Sequence, residues 1–216
     1  MVVAIAGGHG NIATRLTRLL ANRGDRVLSL IRDPGQEPDV AGAGAEAVVV
    51  DLETTDAATL AGRIEEADAV VFAAGAGPGS GAERKLTLDR DGAILLIEAA
   101  KLAGISRYLM ISAMSADASH RGEEVFDVYL RAKGEADEAL AASGLDYTIV
   151  RPGSLTDDAG TGHVAAGTEV PRGAISRDDV AAVLATALDE PKTIGSTFDL
   201  VAGDQQIDTA LARLAD

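Results

Sequence analysis

The stretch "AGGHGNIA", residues 6–13, follows the apolar run "VVAIA" and opens a segment in which Ile12, Leu16, Leu19 and Leu20 recur at helical spacing. Strand, glycine-rich turn and helix in that order predict a βα unit with a phosphate-binding turn at its hinge. The glycines fit two registers: Gly7, Gly10 and Ala13 at three-residue steps, or Gly8, Gly10 and Ala13 in the dinucleotide pattern. Both make one physical demand. The backbone must turn sharply and approach a diphosphate, whose charge the free N–H groups at the helix start attract. Gly7, Gly8, His9, Gly10, Asn11 and Ile12 are therefore expected among the cofactor contacts, and Ala13 is small enough for the helix to pack on the strand.

Working outward, "RVLSLI" (26–31), residues 47–50 and "AVVFAA" (69–74) read as further strands, with helical patterns between them and a short one near 37–43. A long helix is expected over 82–103, burying Leu86, Ile94, Leu95, Ile97 and Ala100, followed by strands "YLMIS" (108–112) and "YTIV" (147–150). This alternation predicts an α/β fold with a doubly wound parallel sheet of the Rossmann type. After "RPG" (151–153), residues 154–173 lose period and read as a loop or small β-excursion; 178–188 is helical, "TFDLV" a last strand and 204–214 a closing helix. One domain is expected over 1–216: a dinucleotide-binding core, 1–150, and a small carboxy-terminal substrate-covering portion, 151–216.

The choice of nucleotide turns on the end of the second strand, where an acid favours a ribose 2'-hydroxyl and Arg a 2'-phosphate. "LIRDP" places Arg32 there with Asp33 behind it, so NADP is expected in preference to NAD.

Composition narrows the rest. A formal net charge of −15 argues against a phosphate-backbone partner, so no nucleic acid is expected. Cysteine is absent, which removes disulfides, thiol catalysis and cysteine-ligated metals; the three histidines, His9, His120 and His163, are not at ligand spacing, so no metal site is expected. The amino terminus lacks the basic lead of a signal peptide and no apolar run approaches bilayer length, so a cytoplasmic protein without a membrane partner is expected.

"VFDVYLRAK" (125–133) sets Tyr129 four residues before Lys133, on one helix face, in a chain with three tyrosines. A nearby ammonium favours the phenolate and brings a phenol of ordinary pKa near 10 towards its working range. Lys133 can also donate to ribose hydroxyls.

These stretches, with "DL" (51–52), "FAAGAG" (72–77), "YLMISAMSAD" (108–117), "GLDYTIVRPGSLT" (144–156) and "SRDDVAAVLATAL" (176–188), resemble the atypical short-chain dehydrogenase/reductase superfamily, in particular its small NAD(P)H-binding, epimerase- or dehydratase-like members. The likeness runs over nearly the whole chain. It implies Asp51 and Leu52 at the adenine, Ala73, Ala74 and Gly75 at the ribose, and Ile111 and Pro152, Gly153 and Ser154 among the remaining cofactor contacts, the last three near the nicotinamide. It further implies Tyr129 as catalytic acid or base and Lys133 on the cofactor ribose. Relatives carry paired serines after the fifth strand; here the second is Ala113, which leaves Ser112 as the preferred polarising hydroxyl and Ser115 in reserve. The function implied is an NADP-dependent oxidoreductase acting on a small carbonyl or quinone-like substrate. A non-catalytic NADP-binding sensor and a nucleotide-sugar epimerase or dehydratase are the alternatives. A homodimer through the helices after strands four and five follows by family analogy. Loops 77–83, 114–126 and 155–171 are expected to build the substrate pocket.

Overall fold

The computed structural model describes residues 1–77 and 79–214; Pro78, within one of the expected pocket loops, lies outside them. Along the chain run β1 (Val2–Ala6), α1 (Asn11–Asn22), β2 (Arg26–Ile31), α2 (Glu37–Gly42), β3 (Glu46–Val49), α3 (Ala57–Ile64) and β4 (Ala69–Phe72). There follow α4 (Ala82–Arg84), a π-helical stretch Lys85–Gly92, α5 (Ala93–Ala103), β5 (Arg107–Ile111), α6 (Val125–Ala141) and β6 (Asp146–Pro152). The remainder is β7 (Ser154–Thr156), β8 (His163–Gly167), β9 (Ala174–Ser176), α7 (Arg177–Asp189), β10 (Ser196–Ala202), β11 (Gln205–Gln206) and α8 (Ile207–Ala212).

The main sheet has the order β11-β8-β10-β6-β5-β4-β1-β2-β3. From β3 to β10 every pairing is parallel, and β8 closes onto β10 antiparallel. Parallel strands are covered on both faces, so their residues are apolar throughout and alternate between two cores. Val3, Ile5, Val71, Leu109 and Ile111 join the core under α1 and α7; Ala4, Ala6, Val70, Phe72, Tyr108 and Met110 join the one under α3 and α5. Each fully buried Leu of these layers, such as Leu16 or Leu96, contributes about 2 kcal/mol by removal from water. The chain changes direction between β1 and β4, the switch point at which such sheets open a crevice at their carboxyl ends.

Two elements differ from expectation. The 82–103 segment is not one α-helix: the π stretch advances the chain by more residues per turn, so the buried positions become Lys85, Asp89 and Gly92, while Leu86, Ile94 and Leu95 are only partly buried. The closing helix is shorter, because Gln205 and Gln206 pair with β8 before α8 begins. Within residues 151–214, β10 extends the main sheet beside β6 and α7 packs beneath it, while the two-stranded β7–β9 pair stands outside.

Candidate functional site

Close backbone and side-chain neighbours require glycine at two positions of the turn after β1. Gly7 has φ +77°, and a Cβ there would lie 2.6 Å from the Ala74 Cα; at Gly8 it would lie 2.5 Å from the Ser29 Cβ. The Gly10 N–H donates to the Gly7 carbonyl at 2.8 Å, closing the turn, and Gly10 caps α1 with an extended backbone and no side-chain cap. The first helical donor satisfied by the turn is Thr14 N–H, on the Gly10 carbonyl. The amides of Asn11, Ile12 and Ala13 thus form an anion cradle, and no acid in the first turn competes for it. A nicotinamide dinucleotide fits this cradle through its diphosphate.

Beside the turn lies an open cleft of about 270 Å³. Of the expected contacts it gathers Gly7, His9, Gly10 and Arg32 with Asp51, Leu52, Ala73, Ala74 and Gly75. His9 is exposed, its Nε2 2.9 Å from Asp39 Oδ2. Gln36, Glu53, Arg84 and Leu88 also line the cleft and were not anticipated. Glu53 accepts from the Thr87 hydroxyl at 2.6 Å, from Arg84 Nη2 at 3.2 Å and from Arg32 Nη1 at 3.4 Å. The Thr87 hydrogen bond, then the arginine charges, hold its carboxyl below the usual range against the opposing effect of burial. Glu53 follows Asp51 by two positions, but nothing local in sequence marks Arg84 or Thr87 as its partners.

Farther along the crevice, the π stretch and α6 lie face to face and pair twice. Lys133 Nζ donates to the Ile111 carbonyl at 3.0 Å and stands 3.4 Å from Asp89 Oδ1. Both side chains are almost wholly buried, and Asp89 also accepts the Ala76 N–H at 3.1 Å. One turn away, Lys85 Nζ sits 5.2 Å from the centre of the Tyr129 ring and donates to the Gly77 carbonyl at 2.9 Å. Phe126 stacks on Tyr129 from the exposed side, ring centres 6.0 Å apart. Burial pushes the Tyr129 phenol above its ordinary value; the Lys133 ammonium opposes this, and the Asp89 and Asp137 carboxylates reinforce it. The expected lowering by Lys133 is present and is outweighed.

Ser112 is buried, and its hydroxyl donates to Asp137 Oδ2 at 2.9 Å, an oxygen that also accepts from Arg151 Nε at 2.8 Å. Asp137 lies one turn beyond Lys133 on α6; burial pushes its carboxyl up, against Ser112, Arg151 and Lys133. Ser115 instead is exposed, adopts φ +69°, and accepts from Arg172 Nη2 at 2.9 Å. Pro152, Gly153 and Ser154 do not line the cleft. Their backbone groups serve the sheet: Met114 N–H donates to the Pro152 carbonyl, Gly153 N–H to Leu200 and Ser154 N–H to Gly173. His120 pairs with Asp127 at 2.8 Å and His163 with the Thr161 carbonyl at 2.9 Å. Among the described residues no three metal-ligating side chains converge, and no helix is long and apolar enough to cross a membrane.

The sequence profile of NAD(P)H-binding proteins matches residues 7–191. The uncharacterized sugar epimerase YhfK of Bacillus subtilis is 41% identical over 99% of this chain and 100% of its own. A proposed NAD-dependent epimerase/dehydratase of Bacillus halodurans superposes with a TM-score of 0.91 at 37% identity, covering 99% of this chain and 100% of the other. The oxidoreductase ylbE of Lactococcus lactis does so with a TM-score of 0.85 at 26% identity, covering 98% and 95%.

Proposed function

The chain belongs to the NAD(P)H-binding family, and we propose that within it this protein is an NADP-preferring oxidoreductase that reduces a small carbonyl or quinone-like substrate, with Tyr129 as proton donor. The observation that carries this is the double pairing of the π stretch with α6, which joins the Tyr129 ring to Lys85 and the buried Lys133 ammonium to Asp89, a carboxylate that lies against Gly75 of the cleft. The reduced dinucleotide, when bound, supplies a hydride to the substrate carbon.

The chain's own groups do the rest. The amides of Asn11, Ile12 and Ala13 hold the diphosphate. Lys133 spends one proton on the Ile111 carbonyl and faces Asp89 with another, which leaves one to donate to a ribose hydroxyl. Tyr129, kept protonated by burial, gives its proton to the substrate oxygen as that oxygen gains charge. Ser112 has its proton on Asp137, so polarisation of the carbonyl rests on Tyr129. At the adenosine end, Arg32 is half exposed and bound to Glu53 only at 3.4 Å, while Arg84 and Thr87 satisfy the same carboxylate; Arg32 is free to turn to a 2'-phosphate.

The test is NADPH oxidation over a panel of aldehydes, ketones and quinones, with Tyr129→Phe beside the unmodified protein. The variant should lose about 10²–10⁴ in kcat/KM, the usual worth of a positioned acid. Unchanged turnover in the variant removes Tyr129 from the mechanism. The committed Ser112 proton and the methyl of Ala113 favour a second reading, a cofactor-sensing protein; bound NADPH with no turnover across the panel supports that one.

A further inference from the structure

We propose that Lys85 forms an anion-binding subsite beside Tyr129, so that the substrate is a carbonyl compound bearing a carboxylate about one aromatic ring away from the group reduced. This rests on the oxidoreductase assignment above and names the substrate class of the same site.

The ammonium of Lys85 is the anomaly. The residue is 8% exposed, yet among the described residues no carboxylate lies within 4.0 Å of its Nζ. Among the described residues its one hydrogen bond goes to the Gly77 carbonyl, and the face of Tyr129 receives part of the charge. An ammonium carries three donors, so donor capacity is left over. The other buried lysine, Lys133, has Asp89 as counter-ion, and the partly buried Arg151 has Asp137. Asp89 stands against Lys133 and accepts the Ala76 N–H, and it forms no ion pair with Lys85. A desolvated charge without a counter-ion costs the fold stability, which is tolerable where a ligand supplies the missing charge.

Position points the same way. Lys85 opens the π stretch, a form that often marks functional sites in helices. It sits 5.2 Å from the ring centre of the proposed proton donor, a separation that one small molecule with an anion on the ammonium and a carbonyl on the phenol would span. Phe126, largely exposed and stacked on Tyr129, adds apolar surface beside the phenol ring. With a net charge of −15 the protein as a whole repels anions, and a local cation is what such a substrate needs to dock.

The test uses 4-carboxybenzaldehyde and its neutral methyl ester, each titrated calorimetrically into protein saturated with NADP⁺. The acid should bind ~10–100-fold more tightly than the ester, the worth of a charge-assisted hydrogen bond in a desolvated site. Lys85→Met should bring that ratio near one, and Lys85→Arg should retain most of it. Equal affinities in the unmodified protein, no binding of the acid, or an unchanged ratio in Lys85→Met overturns the inference. Because saturation with NADP⁺ is measured first, failure to bind the nucleotide strikes the oxidoreductase assignment, whereas a loaded protein without preference for the acid strikes the Lys85 subsite alone.

Discussion

Replacing Lys133 by Met should destabilise the protein as well as inactivate it. Lys133 and Asp89 are 3% and 1% exposed, and the ammonium stands 3.4 Å from the carboxylate. Removal of one partner from a buried pair leaves a desolvated charge and costs about 3–5 kcal/mol. Asp89 keeps the Ala76 N–H at 3.1 Å, which places the expected loss near the lower end, about 3 kcal/mol. Against a total stability of ~5–15 kcal/mol that is a large fraction, and for a chain of this size it lowers Tm by roughly 6–12 °C. Urea unfolding followed by circular dichroism on Lys133→Met, Asp89→Asn and the double variant gives the coupling directly. The double variant should recover at least half of what Lys133→Met loses, a coupling of about 1.5 kcal/mol or more. A loss below about 1 kcal/mol in the single variant, or strict additivity in the double, refutes the buried pair. The cycle also decides how activity data on Lys133→Met are to be read, since lost ribose binding and a loosened π stretch both lower turnover.

Gly7→Ala forces a left-handed backbone on a residue with a Cβ and drives it to 2.6 Å from the Ala74 backbone; a loss of about 2–4 kcal/mol in urea unfolding is expected. Gly10→Ala, whose nearest neighbour is the Gly7 carbonyl at 3.1 Å, should melt within a few degrees of the parent and instead weaken nucleotide binding, read by titration. Arg32→Ala should bring the NADPH and NADH dissociation constants together from an initial preference of ~10-fold or more for NADPH, the worth of one charge-assisted contact; equal constants in the parent remove the basis for that preference. Since burial raises the Tyr129 pKa, its proton-donating form persists through neutral and mildly alkaline pH. The rate of carbonyl reduction should stay level there and fall only above the ordinary phenol value of ~10, while alcohol oxidation should rise with pH. A reduction rate that falls with an apparent pKa near 7 contradicts the assignment.

What could be read from sequence was what local periodicity records. Val3 and Ile5 against Ala4 and Ala6 alternate between two cores, and Ile12, Leu16 and Leu20 repeat along α1, so sheet and helix announce themselves within a few residues. Gly7 and Gly10 carry the turn, and Tyr129 with Lys133 share a face by their spacing alone. The π stretch broke the reading because it changes the helical period: apolar Leu86 was expected inward, and Lys85 and Asp89 occupy the buried positions. Glu53 escaped notice because its partners Arg32, Arg84 and Thr87 come from two distant segments. The engagement of Ser112 depends on Asp137, 25 positions on, a distance at which sequence carries no signal without the fold.

The central claim, that the glycine turn holds a nicotinamide dinucleotide with its ring beside Tyr129, is tested most directly by an X-ray structure of crystals soaked in NADP⁺. The diphosphate should rest on the amides of Asn11, Ile12 and Ala13, a ribose hydroxyl on Lys133, and the nicotinamide against the Tyr129 hydroxyl. Density for the nucleotide elsewhere, a nicotinamide directed away from Tyr129, or an empty cleft at saturating nucleotide contradicts it.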